Sequence, residues 1–319
     1  MITIKTLKTT LAAMVLALSV SVAQAGSFNE LVAFGDSLSD TGNLTSVFGI
    51  PLAPYAAGRF SNGPIWIDHL ASNLGLSSLN SEGGGTNYAW AGATSGPGGT
   101  FGVPFSLLDQ STTYLTDVGG AANPNALYSI WIGGNDVLNA AVGDPIGAIA
   151  DQAAANVASV ITDLAAADAM TFLVPNLPDI GLTPSSSGDA ALAAYRSDLT
   201  AAYNLALAMT LVDLETSLGV NIIAFDVAAL FAQLVTDPGS FGFTNATDMC
   251  WTGSVLGPGT GTQCADPDSY VFWDDVHPTA AAHAVLGDMA FSQVVPIPAA
   301  VWLFGSALLG LIGIRKRAA

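Results

Sequence analysis

Ser37 stands at the end of an apolar run. Leu31, Val32, Ala33 and Phe34 are followed at once by Gly35, Asp36 and Ser37. Glycine, aspartate and serine are all turn formers. The same arrangement also aims a hydroxyl off the end of a strand. The two readings part on whether the chain supplies the rest of an acyl-transfer site: a base, a group that orients it, and donors for an oxyanion. The candidates for the base are His69, His277 and His283. His69 lies in IWIDHLASNL and His283 in TAAAHAVLG, both of helical spacing; surface or packing roles account for them. His277 lies in FWDDVHPTA, just before a helix, with Asp274 three residues upstream. In a tight loop that spacing brings a carboxylate onto Nδ1, fixes one tautomer and leaves Nε2 to take a serine proton. Alone, Asp-x-x-His is a weak pattern, and Asp274 and Asp275 read equally as ordinary loop acids.

Positioning these groups needs a scaffold. Strand-like runs fall at 30–35, 127–132, 170–174 and 221–225. Helical spacing falls at 63–74, 145–167, 189–218 and 279–291, the third closed by Gly219. Alternating elements of this kind predict a parallel sheet with helices on both faces. Such sheets bind ligands outside the carboxyl ends of their strands. Gly35-Asp36-Ser37 falls at one such end and Gly133-Gly134-Asn135-Asp136 at another, so two segments deliver polar residues to one edge.

Four blocks stand in order along the chain: FGDSLSDTGN, NYAWAGATSG, IGGND and WDDVHPT. Together they resemble the GDSL or SGNH hydrolase family, in particular its secreted bacterial esterases and lipases. The resemblance implies an α/β fold, a three-layer α/β/α sandwich with a flavodoxin-like parallel sheet. It implies Ser37 as nucleophile, His277 as base and Asp274 as the acid that orients it. For the oxyanion it implies the backbone N–H groups of Ser37 and Gly92 and the side-chain amide of Asn135. Prearranged donors of this kind stabilise a tetrahedral intermediate, and no metal or organic cofactor is called for. Gly-x-Ser-x-Gly is absent, which separates the chain from the usual α/β-hydrolase elbow. Asp36, Asp40 and Asn43 are expected to hold the turn around Ser37. Trp90, Trp131 and Trp273 are expected in the core rather than in an acyl or sugar pocket.

The implied activity is hydrolysis of a carboxylic ester through an acyl-enzyme on Ser37, acting on a small-molecule, lipid or acylated-sugar ester. A polysaccharide O-acetylesterase or an acyltransferase would use the same residues. The intact set of Ser37, Asn135, Asp274 and His277 argues against a non-catalytic surface or matrix protein.

The ends of the 319-residue chain read differently from its body. Lys5 and Lys8, an apolar core over 11–22 and Ala23-Gln24-Ala25 form the three parts of a secretory signal peptide, residues 1–25. The hydrolase domain is expected over 26–293. Residues 294–319 begin with an uncharged run long enough to span a bilayer and end in Arg315, Lys316 and Arg317. This tail, VPIPAAVWLFGSALLGLIGIRKR, resembles the PEP-CTERM sorting signal, with Ile297 where that motif has its acid. The likeness implies membrane retention, processing by an exosortase and release to the surface; the rival is a permanent anchor. Only Arg59 and Arg196 stand in the body against all 25 acids, which excludes nucleic acid as a partner and disfavours anionic lipid. In an oxidising compartment Cys250 and Cys264 are expected to pair. With no histidine nearby they make a poor zinc site.

Overall fold

A computed structural model describes residues 28–99, 105–257 and 261–295. The expected signal peptide, and the expected sorting tail beyond residue 295, lie outside the described residues. Among the described residues no helix is long and apolar enough to cross a membrane.

The strands are β1 (Glu30–Gly35), β2 (Ala126–Trp131), β3 (Thr171–Pro175), β4 (Asn221–Phe225), β5 (Asn245–Met249) and β6 (Tyr270–Phe272). The helices are α1 (Asn43–Phe48), α2 (Trp66–Leu74), α3 (Leu107–Asp117), α4 (Gly134–Asn139), α5 (Ile146–Ala166), α6 (Ala190–Leu218), α7 (Val227–Thr236) and α8 (Ala280–Val294). β1 to β4 form one parallel sheet in that order. Every residue of β2 is buried, as are the last five of β1. Near-continuous apolar strands are what a sheet covered on both faces demands. α2 packs on α8, while α3, α5 and α6 pack in a second group through α5.

A further segment runs beside the free edge of β1. Ala33 N–H donates to Thr86 O at 3.1 Å, Tyr88 N–H to Ala33 O at 2.7 Å and Trp90 N–H to Gly35 O at 3.1 Å. Counting 86–90 as a strand, the chain-order sequence across the sheet is 2-1-3-4-5, the flavodoxin-like order. The chain thus leaves β1 for one edge and crosses back to β2 for the other. The crevice at this reversal opens between the carboxyl ends of β1 and β2, where Ser37 and Asn135 lie.

The helices end where side chains and glycines stop them. Asp189 caps α6 by accepting Ala191 and Leu192 N–H at 3.0 Å each, and Gly219 closes it with φ 68°. α2 begins at Trp66, later than its apolar spacing suggests, because the Asp68 carboxylate accepts Ile65 N–H at 3.0 Å and fixes the first turn there. Cys250 and Cys264 form a disulfide.

Candidate active site

Each block delivers its residues by a short, hydrogen-bonded turn. After β1 the chain folds back on Asp36, whose C=O accepts the N–H groups of Ser39 at 3.0 Å and Asp40 at 2.9 Å. Asp40 is buried and holds this turn. Its carboxylate accepts N–H groups from Gly42 and Asn43 at 2.7 Å, from Leu44 at 3.1 Å and from Ala91 at 2.9 Å. The Ala91 bond joins the Ser37 turn to the loop carrying Gly92, where φ is 84°, a conformation that favours glycine. Asn43 Nδ2 donates to Asn87 O and Ala89 O at 2.8 and 2.9 Å, tying the same two segments. Asn135 Nδ2 donates to Ala93 O at 2.9 Å, and Asp136 accepts Ser95 N–H and Oγ–H at 2.9 and 2.6 Å. Asp36, Asp40 and Asn43 thus do structural work around Ser37.

The fourth block brings Asp274 and His277 to the serine. Trp273 N–H donates to His277 O at 2.8 Å, which closes the loop into a tight turn. Asp274 Oδ1 accepts the N–H groups of Val276 at 3.0 Å and His277 at 2.7 Å. The same carboxylate meets His277 Nδ1 at 2.9 Å through Oδ1 and 2.7 Å through Oδ2. His277 Nε2 lies 2.8 Å from Ser37 Oγ. The three side chains form one continuous chain of hydrogen bonds across 240 residues of sequence.

Electrostatics favour a charged acid and an imidazole ready to hold a proton. Burial pushes the Asp274 carboxyl up, but the imidazole and two backbone N–H groups outweigh it and hold it below the usual carboxylate range. Burial lowers His277, yet the Asp274 carboxylate, with the charges of Asp275 and Asp36, outweighs that and raises the ring above its ordinary value. Asp36 is different. Burial pushes its carboxyl up to about 7, and the Leu38 N–H at 3.0 Å offsets only part of this. The other histidines lie elsewhere. His283 is buried, accepts Trp66 N–H at 3.2 Å on Nδ1 and is lowered by burial to about 3, so it packs as a neutral ring. His69 lies in α2, half-buried.

Ser37, Gly92, Asn135, Asp274 and His277 all line one cavity of about 610 Å³. It opens at the sheet's switch point, large enough for a small-molecule ester. Trp90, Trp131 and Trp273 are buried, as expected, and none lines this cavity. A tryptophan does line it: Trp251, from the disulfide-closed loop. Among the described residues no cluster of metal-ligating side chains occurs.

The model of the GDSL-like Lipase/Acylhydrolase family matches residues 31–289 of this chain. The chain belongs to that family. A phosphatidylcholine-sterol acyltransferase of Aeromonas hydrophila is 29% identical over 82% of this chain and 89% of its own length. Lipase 1 of Photorhabdus luminescens is 30% identical over 92% of this chain, and Esterase EstA of Pseudomonas aeruginosa 30% over 83%. This GDSL-family chain spans 54% and 46% of those two relatives, about half of each.

Several residues of the site carry no motif. Tyr55 OH donates to Asp274 Oδ2 at 2.7 Å; burial and the Asp274 charge push its phenol far up, so it remains a donor. Phe60 packs on the His277 ring with centroids 5.3 Å apart. Gln110, in α3, holds the backbone of Gly35. Arg196, one of the two cations of the body, also reaches the cavity, where it donates to the Ser185 and Ser186 hydroxyls at 3.1 and 3.0 Å. No local spacing marks these residues: Tyr55, Phe60 and Gln110 act through partners distant in sequence, and Arg196 through serines in the turn before α6.

Proposed function

We propose that this family member hydrolyses carboxylic esters through an acyl-enzyme on Ser37. The observation that carries the reading is the 2.8 Å contact between His277 Nε2 and Ser37 Oγ, with Asp274 behind the ring. His277 takes the Ser37 proton as Oγ attacks the ester carbonyl. The oxyanion is met by the N–H groups of Ser37 and Gly92 and by the Asn135 amide, each donor contributing about 3 kcal/mol to the transition state. The C–O bond breaks, His277 gives its proton to the departing alkoxide, and the acyl group stays on Ser37. Water repeats the sequence and frees the acid.

Residues 26–293 are, in this reading, the hydrolase domain. Residues 1–25 direct export, and 294–319 hold the chain at the membrane until an exosortase-type enzyme processes it. The disulfide suits an oxidising compartment. Acyl transfer to an alcohol is the second reading, supported by the likeness to the phosphatidylcholine-sterol acyltransferase of Aeromonas hydrophila. It differs only in whether water or an alcohol enters last.

The test is turnover of soluble p-nitrophenyl esters of increasing acyl length, by the parent and by Ser37→Ala. The parent is expected to cleave and the variant to lose at least about a thousandfold in kcat while keeping its fold. Equal rates in a folded pair overturn the reading. Adding a primary alcohol and measuring the new ester separates transfer from hydrolysis.

A further inference from the structure

The cavity mouth carries an apolar surface that the hydrolytic chemistry does not use. Leu44 lines the cavity from α1. Val47 and Phe48 follow it by three and four residues, so they continue the same helical face outward. Both are exposed, at 52% and 55%. Ile50 and Val255 line the cavity from two different loops. Beside them Leu52 is 43% exposed and Leu256 66%. The two loops are joined: Leu52 N–H donates to Val255 O at 3.0 Å. Four large apolar side chains therefore face solvent around one side of the mouth, on a surface continuous with the cavity's apolar wall.

Charge marks the same surface. The body holds 25 acids, yet neither 42–58 nor 249–257 contains a charged residue. Scattered exposed apolar residues are ordinary, but a charge-free apolar rim beside a cavity marks an interaction surface. A strongly acidic body is repelled by anionic lipid and by other copies of itself. An uncharged or zwitterionic surface carries no such penalty, and it would hold an ester chain at the entrance.

We propose that Val47, Phe48, Leu52 and Leu256 dock the cavity mouth onto uncharged or zwitterionic lipid surfaces, so that esters enter the site directly from the aggregate. The proposal rests on the ester-hydrolase reading for its purpose. Docking itself needs only apolar burial.

The test uses the full chain. Hydrolysis of a short water-soluble ester is compared with hydrolysis of a long-chain ester dispersed in phosphatidylcholine vesicles, for the parent and for Val47→Ser/Phe48→Ser/Leu256→Ser. The triple variant is expected to keep the soluble rate within about twofold and to lose about tenfold or more on the dispersed ester, the scale expected when three side chains no longer bury apolar area. A separate variant, Phe48→Trp, reads docking without chemistry. Its added fluorescence is expected to be quenched by brominated phosphatidylcholine. Equal losses on both substrates, or no quenching of the added signal, overturn the proposal. Quenching absent together with a change in oligomeric state of the triple variant also overturns it, in favour of pairing between copies. A parent that cleaves neither ester sinks the hydrolase reading, while the quenching result still decides the docking surface.

Discussion

The side chain of Gln110 grips the backbone of Gly35 from both sides. Gly35 N–H donates to Oε1 at 2.9 Å, and Nε2 donates to Gly35 O at 2.8 Å. Gly35 is the last residue of β1, two before Ser37. Its alpha carbon has no room for a side chain, since a Cβ there would stand 2.5 Å from Trp131 O. A buried amide from α3 thus sets where the strand stops and the serine turn begins.

Replacing Gln110 by leucine keeps the volume and removes both bonds. The buried Gly35 N–H then loses its acceptor, which costs about 1–3 kcal/mol. Gln110→Leu is expected to unfold at lower urea with unchanged m, and to lose kcat more than KM, because Ser37 is less firmly placed. Stability equal to the parent's would show that this amide is not what fixes the end of β1.

The rate should depend on His277 being unprotonated, since Nε2 must accept the Ser37 proton. Burial lowers this ring, and the Asp274 carboxylate, through its charge and its hydrogen bond, together with Asp275 and Asp36 raises it further than burial lowers it. The acid limb of kcat/KM is therefore expected above the ordinary histidine value of 6.5, with activity falling as pH drops through it. Asp274→Asn removes the charge that raises the ring, so its limb moves to lower pH while its plateau falls by orders of magnitude. Tyr55→Phe acts in the other direction. It removes a 2.7 Å donor from Asp274, leaves the carboxylate more negative and moves the limb up. A limb that moves the same way in both variants would refute this assignment.

The chain's readable and unreadable parts follow from physics. α5, α6 and α8 are long and apolar-faced or firmly capped, so their spacing reveals them within a few residues. α3 turns Gln110 and Ser111 inward between Leu107 and Tyr114, so its buried face is half polar and its apolar period is broken. α7 follows β4 with only Asp226 between two apolar runs; that aspartate is its cap, accepting Ala229 N–H at 3.0 Å. In the 86–90 segment Asn87, Tyr88, Ala89 and Trp90 are all buried, so the sequence shows no alternation to read. At the site, Asp274 and His277 are legible because a three-residue turn brings them together. Tyr55 reaches Asp274 from 219 residues away, a pairing no local pattern encodes.

Asp36 should make stability fall as pH rises. Burial keeps its carboxyl protonated up to about 7, whereas the unfolded chain releases that proton near 3.8. Between these values the folded state holds the extra proton, so its stability declines with rising pH. Asp36→Asn is neutral throughout and can still accept the Leu38 N–H. Thermal unfolding from pH 4 to pH 8 is expected to show the variant gaining on the parent, by a few kcal/mol at most. Parallel curves across that range would place the Asp36 titration outside it.

The disulfide should matter to both stability and substrate binding. Cys250 and Cys264 close a loop with a sequence separation of 14. Closing a loop of that length removes about 3 kcal/mol of unfolded-chain entropy. The loop also carries Trp251, Thr252, Gly253, Ser254 and Val255, all on the cavity wall. It is anchored to the site, since Cys250 N–H donates to Phe272 O at 3.1 Å and Trp251 N–H to Trp273 O at 2.6 Å, just before Asp274. Cys250→Ala/Cys264→Ala is therefore expected to lose stability of that order. Its KM should rise several-fold on long-chain esters, while kcat on a short soluble ester changes little, because the Ser37, His277 and Asp274 contacts do not run through the loop. A fall in kcat on the short ester that exceeds the rise in KM on the long one would show that the loop supports the triad rather than the acyl wall.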